Sequence, residues 1–129
     1  MRTTDPLIQA FESASLDPGG FHHREHLYVA WCYLRELPLE DALARYVRHL
    51  RQLTIALGVP DKFHATITWA YVLLLRDAMD RSPDASFDEL LADNPALLDH
   101  RAGALYGVYD RAQLDSDQAR QRFVLPRRA

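Results

Sequence analysis

Apolar residues recur along this chain at spacings of three and four, the period of one helix face. The clearest run is Leu39, Leu43, Tyr46, Leu50, Leu53 and Leu57, which predicts a helix from Pro38 to Leu57. Gly58 follows it as a left-handed cap, and Pro60 cannot continue the helix. A second stripe, Leu27, Ala30, Trp31, Leu34 and Leu37, predicts a helix from Phe21 to Glu36. A third, His64, Ile67, Tyr71, Leu74, Leu75 and Ala78, predicts one that Asp61 caps and that runs to Arg81.

Shorter elements flank these three. Asp5 as N-cap and Pro6 at the first helical position mark a helix to Ser13. Ser82-Pro83-Asp84 breaks the chain, and Ser86 can cap a helix from Phe87 to Asp93. Asn94-Pro95 starts another, expected to reach Tyr109, and Ser116 starts a last piece to Phe123. No sustained period-two alternation or Asn-Gly or Asp-Gly hairpin turn predicts strands. The expected fold is all-α: one helical domain over residues 1–129, a bundle of about five to seven helices. Its three long helices would run up, down and up, because short connections make neighbours antiparallel. Residues 125–129 are expected to be a flexible tail.

Composition narrows the function classes. The 129 residues are 48% hydrophobic and 26% charged, with a net charge of −3. No basic excess points to nucleic acid. The longest apolar run, Ala70 to Leu75, is too short to span a bilayer, and the N-terminal stretch is no signal peptide. Cys32 is the single cysteine, which leaves no internal disulfide and no cysteine metal cluster. It is expected to be a packed thiol. These features suit a cytoplasmic protein.

Candidate chemistry lies in the histidines. Three of six, His22, His23 and His26, fall within five residues. His23 and His26 precede Ala30 on the apolar face of their helix, and His64 opens the apolar face of another. In an up-down-up bundle these two helices start at the same end. Across an interaxial gap of about 8–10 Å, His23, His26 and His64 are then expected to meet. Three imidazoles suit a divalent transition metal such as zinc, iron, copper or nickel, with a coordination position left open for water or a small-molecule substrate. Glu25 is the candidate catalytic base, with Asp17 and Asp61 near the same end. His22, Glu25 and His26 also satisfy H-x-x-E-H, in which the histidines bind zinc and the glutamate is the base. The peptidases that carry that motif have much larger folds. His49 and His100 are expected to be surface or edge residues. In the rival reading, the histidines form a hydrogen-bonded polar cluster in a non-enzymatic ligand-binding, adaptor or regulatory module. A homodimer is compatible with either.

The stretches around these histidines resemble a family of small bacterial helical proteins. Its pattern is F-x-H-x-x-H-L-x-x-A-x-x-Y-L, then Y-H-x-T-I-T, then L-x-S-x-x-A-R-x-x-F-V. Here the match falls on Phe21, His23, His26 and Leu27, on His64, Thr66, Ile67 and Thr68, and on Leu114, Ser116, Ala119, Arg120, Phe123 and Val124. The resemblance implies a role for His23, His26 and His64 over His22. Many members carry glutamate after the third histidine, where this chain has Ala65, and Phe63 replaces a tyrosine. If that glutamate is a ligand or base, the resemblance implies a reduced or different activity here.

Overall fold

The structure, a computed structural model of the chain, describes residues 5–17, 19, 21–99 and 104–127. Among the described residues there are seven α-helices, linked by turns that include short 3₁₀ segments, and no strand. The all-α expectation holds. The helices divide between two compact units, Met1–Phe63 and His64–Ala129. No helix among the described residues is long and apolar enough to cross a membrane.

The first unit contains α1 (Pro6–Glu12), α2 (His23–Glu36), α3 (Leu39–Ala56) and a 3₁₀ turn at Pro60–Lys62. Asp5 caps α1 by accepting the Leu7 N–H at 2.9 Å. Both α1 and α3 end in the same paired turn. At α3, Gly58 N–H bonds to the Ile55 carbonyl and Val59 N–H to the Thr54 carbonyl, with Gly58 at φ +74°. That is the Schellman geometry, which requires a left-handed residue after the cap. At α1 the equivalent bonds run from Ala14 to Phe11 and from Ser15 to Ala10, and the left-handed residue is Ala14 at φ 56°.

Helix α3 packs on α2 and on α1. Tyr46, Leu50 and Leu53 are buried as the stripe requires, and so is Ala42. Leu57, the last member of the stripe, is 37% exposed because it sits in the terminal turn. Phe11 of α1 is fully buried at the centre of an aromatic cluster. Its ring centroid lies 5.7 Å from Phe21, 6.4 Å from Tyr33, 5.6 Å from Tyr46 and 6.2 Å from His49.

The second unit contains α4 (Ala65–Arg81), α5 (Phe87–Asp93), α6 (Arg111–Leu114) and α7 (Asp117–Gln121), with 3₁₀ turns at Pro95–Leu98 and Ala104–Gly107. Helix α4 starts at His64, not at Asp61, which lies in the preceding 3₁₀ turn. Both 3₁₀ turns and α7 pack on α4. Its burial therefore extends past one stripe, to Thr66, Thr68, Ala70 and Val72. Ser86 and Glu89 form a capping box at α5, each accepting the other's backbone N–H.

The helix expected from Asn94 to Tyr109 is replaced by the two 3₁₀ turns where the chain is described. Residues 100–103, including His100, lie outside the described residues. Gly103 and Gly107 weaken a helix there, each by about 1 kcal/mol relative to alanine. Asp110 caps α6 and Ser116 caps α7, through bonds from the Gln113 and Ala119 N–H groups.

Candidate functional site

In the first unit, the FHHREH stretch enters α2. His22 is the N-cap, in extended backbone, and its N–H donates to Glu25 Oε1 at 2.9 Å. The carboxylate expected to act as a base thus serves the helix start. Its charge is also favourable at the positive end of the helix dipole. His23 is the first helical residue and is half-buried.

His26 is held more tightly. Its ring centroid lies 4.2 Å from that of Phe21, and its Nδ1 is 3.2 Å from the Tyr46 hydroxyl of α3. Burial is the main cause that pushes its pKa down to about 4, and the neighbouring His23 adds to the effect. His26 is therefore neutral at pH 7. Burial also raises the Tyr46 hydroxyl.

Beside this pair lies a second polar group that the sequence did not single out. Glu12 Oε2 accepts from the Tyr33 hydroxyl at 2.5 Å and from Arg45 Nε at 2.9 Å. Burial opposes the Glu12 charge, but these two bonds hold the carboxyl below its usual value. His49 is half-buried against Phe11; its Nδ1 is sealed from solvent with no hydrogen-bond partner among the described residues, and burial lowers its pKa. Tyr28 donates to Asp5 Oδ2 at 2.6 Å, tying α2 to the start of α1. Burial pushes the Cys32 thiol up, away from nucleophilic thiolate.

His64 belongs to the second unit. It is 8% exposed, and both ring nitrogens are engaged. Nδ1 accepts the Ile67 N–H at 3.1 Å, capping α4, and Nε2 lies 2.6 Å from the Leu114 carbonyl. A carbonyl can only accept, so Nε2 carries the proton and Nδ1 the lone pair. The next hydroxyl but one on the same face, Thr68, donates to the His64 carbonyl at 2.7 Å. Among the described residues, no group of three or more His, Cys, Asp or Glu side chains is placed to hold a metal ion.

A further polar arrangement in the second unit has no counterpart in the histidine pattern. Residues 122–127 follow α7 without helix, and Arg122 is in extended backbone. Thr66 Oγ1, fully buried, donates to the Arg122 carbonyl at 2.9 Å and accepts the Val124 N–H at 3.1 Å. Gln113 donates from Nε2 to the Leu125 carbonyl at 2.8 Å, and its Oε1 accepts the Arg127 N–H at 3.0 Å. The Tyr109 hydroxyl donates to the Val124 carbonyl at 2.7 Å. Trp69 and Phe123 stack at 5.0 Å, and Arg127 pairs with Asp110 at 3.2 Å. Residues 125–127 of the expected tail are thus pinned, while 128 and 129 lie outside the described residues. The Phe123-Val124 pair of the C-terminal motif was the available sequence signal for this arrangement. No protein-family model, curated protein or solved structure matches this chain.

Proposed function

We propose that this protein is a helical binding module, an adaptor or regulatory component, whose histidines serve the fold rather than a reaction. One observation carries the reading: the His64 imidazole spends both nitrogens on the backbone, one on the Ile67 N–H and the other on the Leu114 carbonyl. A metal ligand needs a free lone pair, and freeing one here would uncap α4 or break the bond to Leu114. Glu25 is used in the same way, on the His22 N–H.

The test is elemental analysis and thermal melting of protein purified without a histidine tag. The reading predicts substoichiometric metal and a melting temperature indifferent to chelator. Near-stoichiometric metal that is lost in His64→Ala would overturn it.

A second reading keeps a metal in the first unit, and His26 favours it. Its imidazole is neutral and its Nδ1 is anchored on Tyr46, as a metal-binding histidine anchors its other nitrogen. In that reading His23 and His26 hold a divalent transition metal, zinc, iron, copper or nickel, whose remaining positions go to water or a small-molecule substrate. A metal bound only to the native state raises stability. Chelator would then lower the melting temperature of the wild type and leave that of His26→Ala unchanged.

A further inference from the structure

We propose that the face of the second unit formed by Thr66, Trp69, Tyr109 and Gln113 is a binding groove for an extended peptide, filled in cis by residues 122–127. The proposal rests on the binding-module reading and names the class of partner.

Outside a helix, a carbonyl and the N–H two residues further on both need partners from elsewhere. Thr66 spans one such pair, the Arg122 carbonyl and the Val124 N–H. Gln113 spans another, three residues further on, the Leu125 carbonyl and the Arg127 N–H. Tyr109 takes the carbonyl of Val124. Three side chains thereby read five backbone groups, and every peptide in this conformation offers the same five. Thr66 and Gln113 are buried polar residues at 0% and 9% exposure. Without a chain against them, their hydrogen-bonding groups would lose these partners.

Side-chain preference comes from the two ends. Trp69 stacks on Phe123, and Asp110 pairs with Arg127. Pro126 stands between the Gln113-bonded residues, where no N–H is required of it. The occupant in trans is therefore a linear segment of a partner protein with an aromatic residue, then proline and arginine three and four positions later.

The resident segment is held by side chains and not by a backbone ladder. Among the described residues, 123–127 make no backbone-to-backbone hydrogen bond, and Leu125 is 74% exposed. Its release breaks the five side-chain bonds, the stack and the ion pair, and a second chain of the same sequence restores them.

The experiment titrates a fluorescent heptapeptide matching residues 121–127 into the full chain, in chelator, by anisotropy. Val124→Pro removes the N–H that Thr66 accepts, and Phe123→Ala removes the stack on Trp69. Neither touches the groove, and circular dichroism verifies that each variant is folded. Cis occupancy lowers apparent affinity by the fraction of open groove, so either variant should bind the peptide about ten-fold or more tightly than wild type. Adding Gln113→Leu to whichever variant folds should remove that gain. Equal binding by wild type and variants, or no binding by any, overturns the proposal. So does a strap exchanged between two copies, seen as a sedimenting dimer that excludes the peptide. Because chelator is present throughout, failure here leaves the His64 result intact.

Discussion

His64 reaches the Leu114 carbonyl with its Nε2 at 2.6 Å, across fifty residues of sequence, and fastens α6 to the start of α4. The same ring caps α4 through Nδ1. His64→Ala removes both bonds and leaves a buried carbonyl and an uncapped helix. It should destabilise the protein by about 1–3 kcal/mol. Asparagine is a good N-cap but is too short for Leu114, so His64→Asn should recover part of that loss. Denaturant unfolding of the three proteins measures this. Equal stability of the asparagine and alanine variants would deny the capping role.

Acid should weaken the first unit in a defined window. The folded pKa of His26 is about 4, below the ordinary 6.5, so the unfolded chain binds more protons between these values. The stability is fully present above about pH 6.5 and is lost as pH falls toward 4. His49, whose pKa is also lowered by burial, adds in the same direction. The groups facing His26 are His23 and Glu25 on its own helix and Tyr46 on α3; those facing His49 are Glu12, Arg45 and Arg48. Denaturation midpoints should fall across this window in the wild type and fall less steeply in His26→Phe. Parallel slopes would contradict it.

Phe11 stands at the centre of the aromatic cluster with no exposed surface. Phe11→Ala should cost about 3–5 kcal/mol, the usual loss for emptying a core aromatic site. Ile55, 66% exposed on α3, should tolerate alanine within about 0.5 kcal/mol. Comparable losses at the two sites would mean that Phe11 does not organise the core.

Ala14 occupies a left-handed position that its Cβ disfavours. Left-handed backbone costs an L-residue about 1–2 kcal/mol, against about 0.5–1 kcal/mol of added chain entropy for glycine. Ala14→Gly should therefore raise the unfolding free energy by up to about 1.5 kcal/mol. A destabilised glycine variant would show that α1 ends differently.

The helices were legible because their evidence is local. Asp5, Ser86 and Ser116 announce their own helix starts, and Gly58 and Pro60 announce a stop. The described residues between Asn94 and Tyr109 form 3₁₀ turns although their apolar residues keep a helical spacing, because glycines such as Gly107 favour other conformations. Asp61 looked like the cap of α4 because aspartate caps well; His64 took that place because its second nitrogen also had Leu114 to bond. No local pattern encodes that partner. The same holds for Glu12 with Tyr33 and Arg45, and for Thr66 and Gln113 with the last described residues. Each of those pairings joins residues at least twelve positions apart, beyond the reach of any helical spacing.

The most direct measurement is the ¹⁵N spectrum of the histidine rings, with His64 assigned by mutation, in chelator and again with one equivalent of zinc. The account predicts a His64 ring protonated at Nε2, with Nδ1 accepting a hydrogen bond, and no change when zinc is added. A His64 ring nitrogen that shifts to a metal-bound position on adding zinc would contradict it.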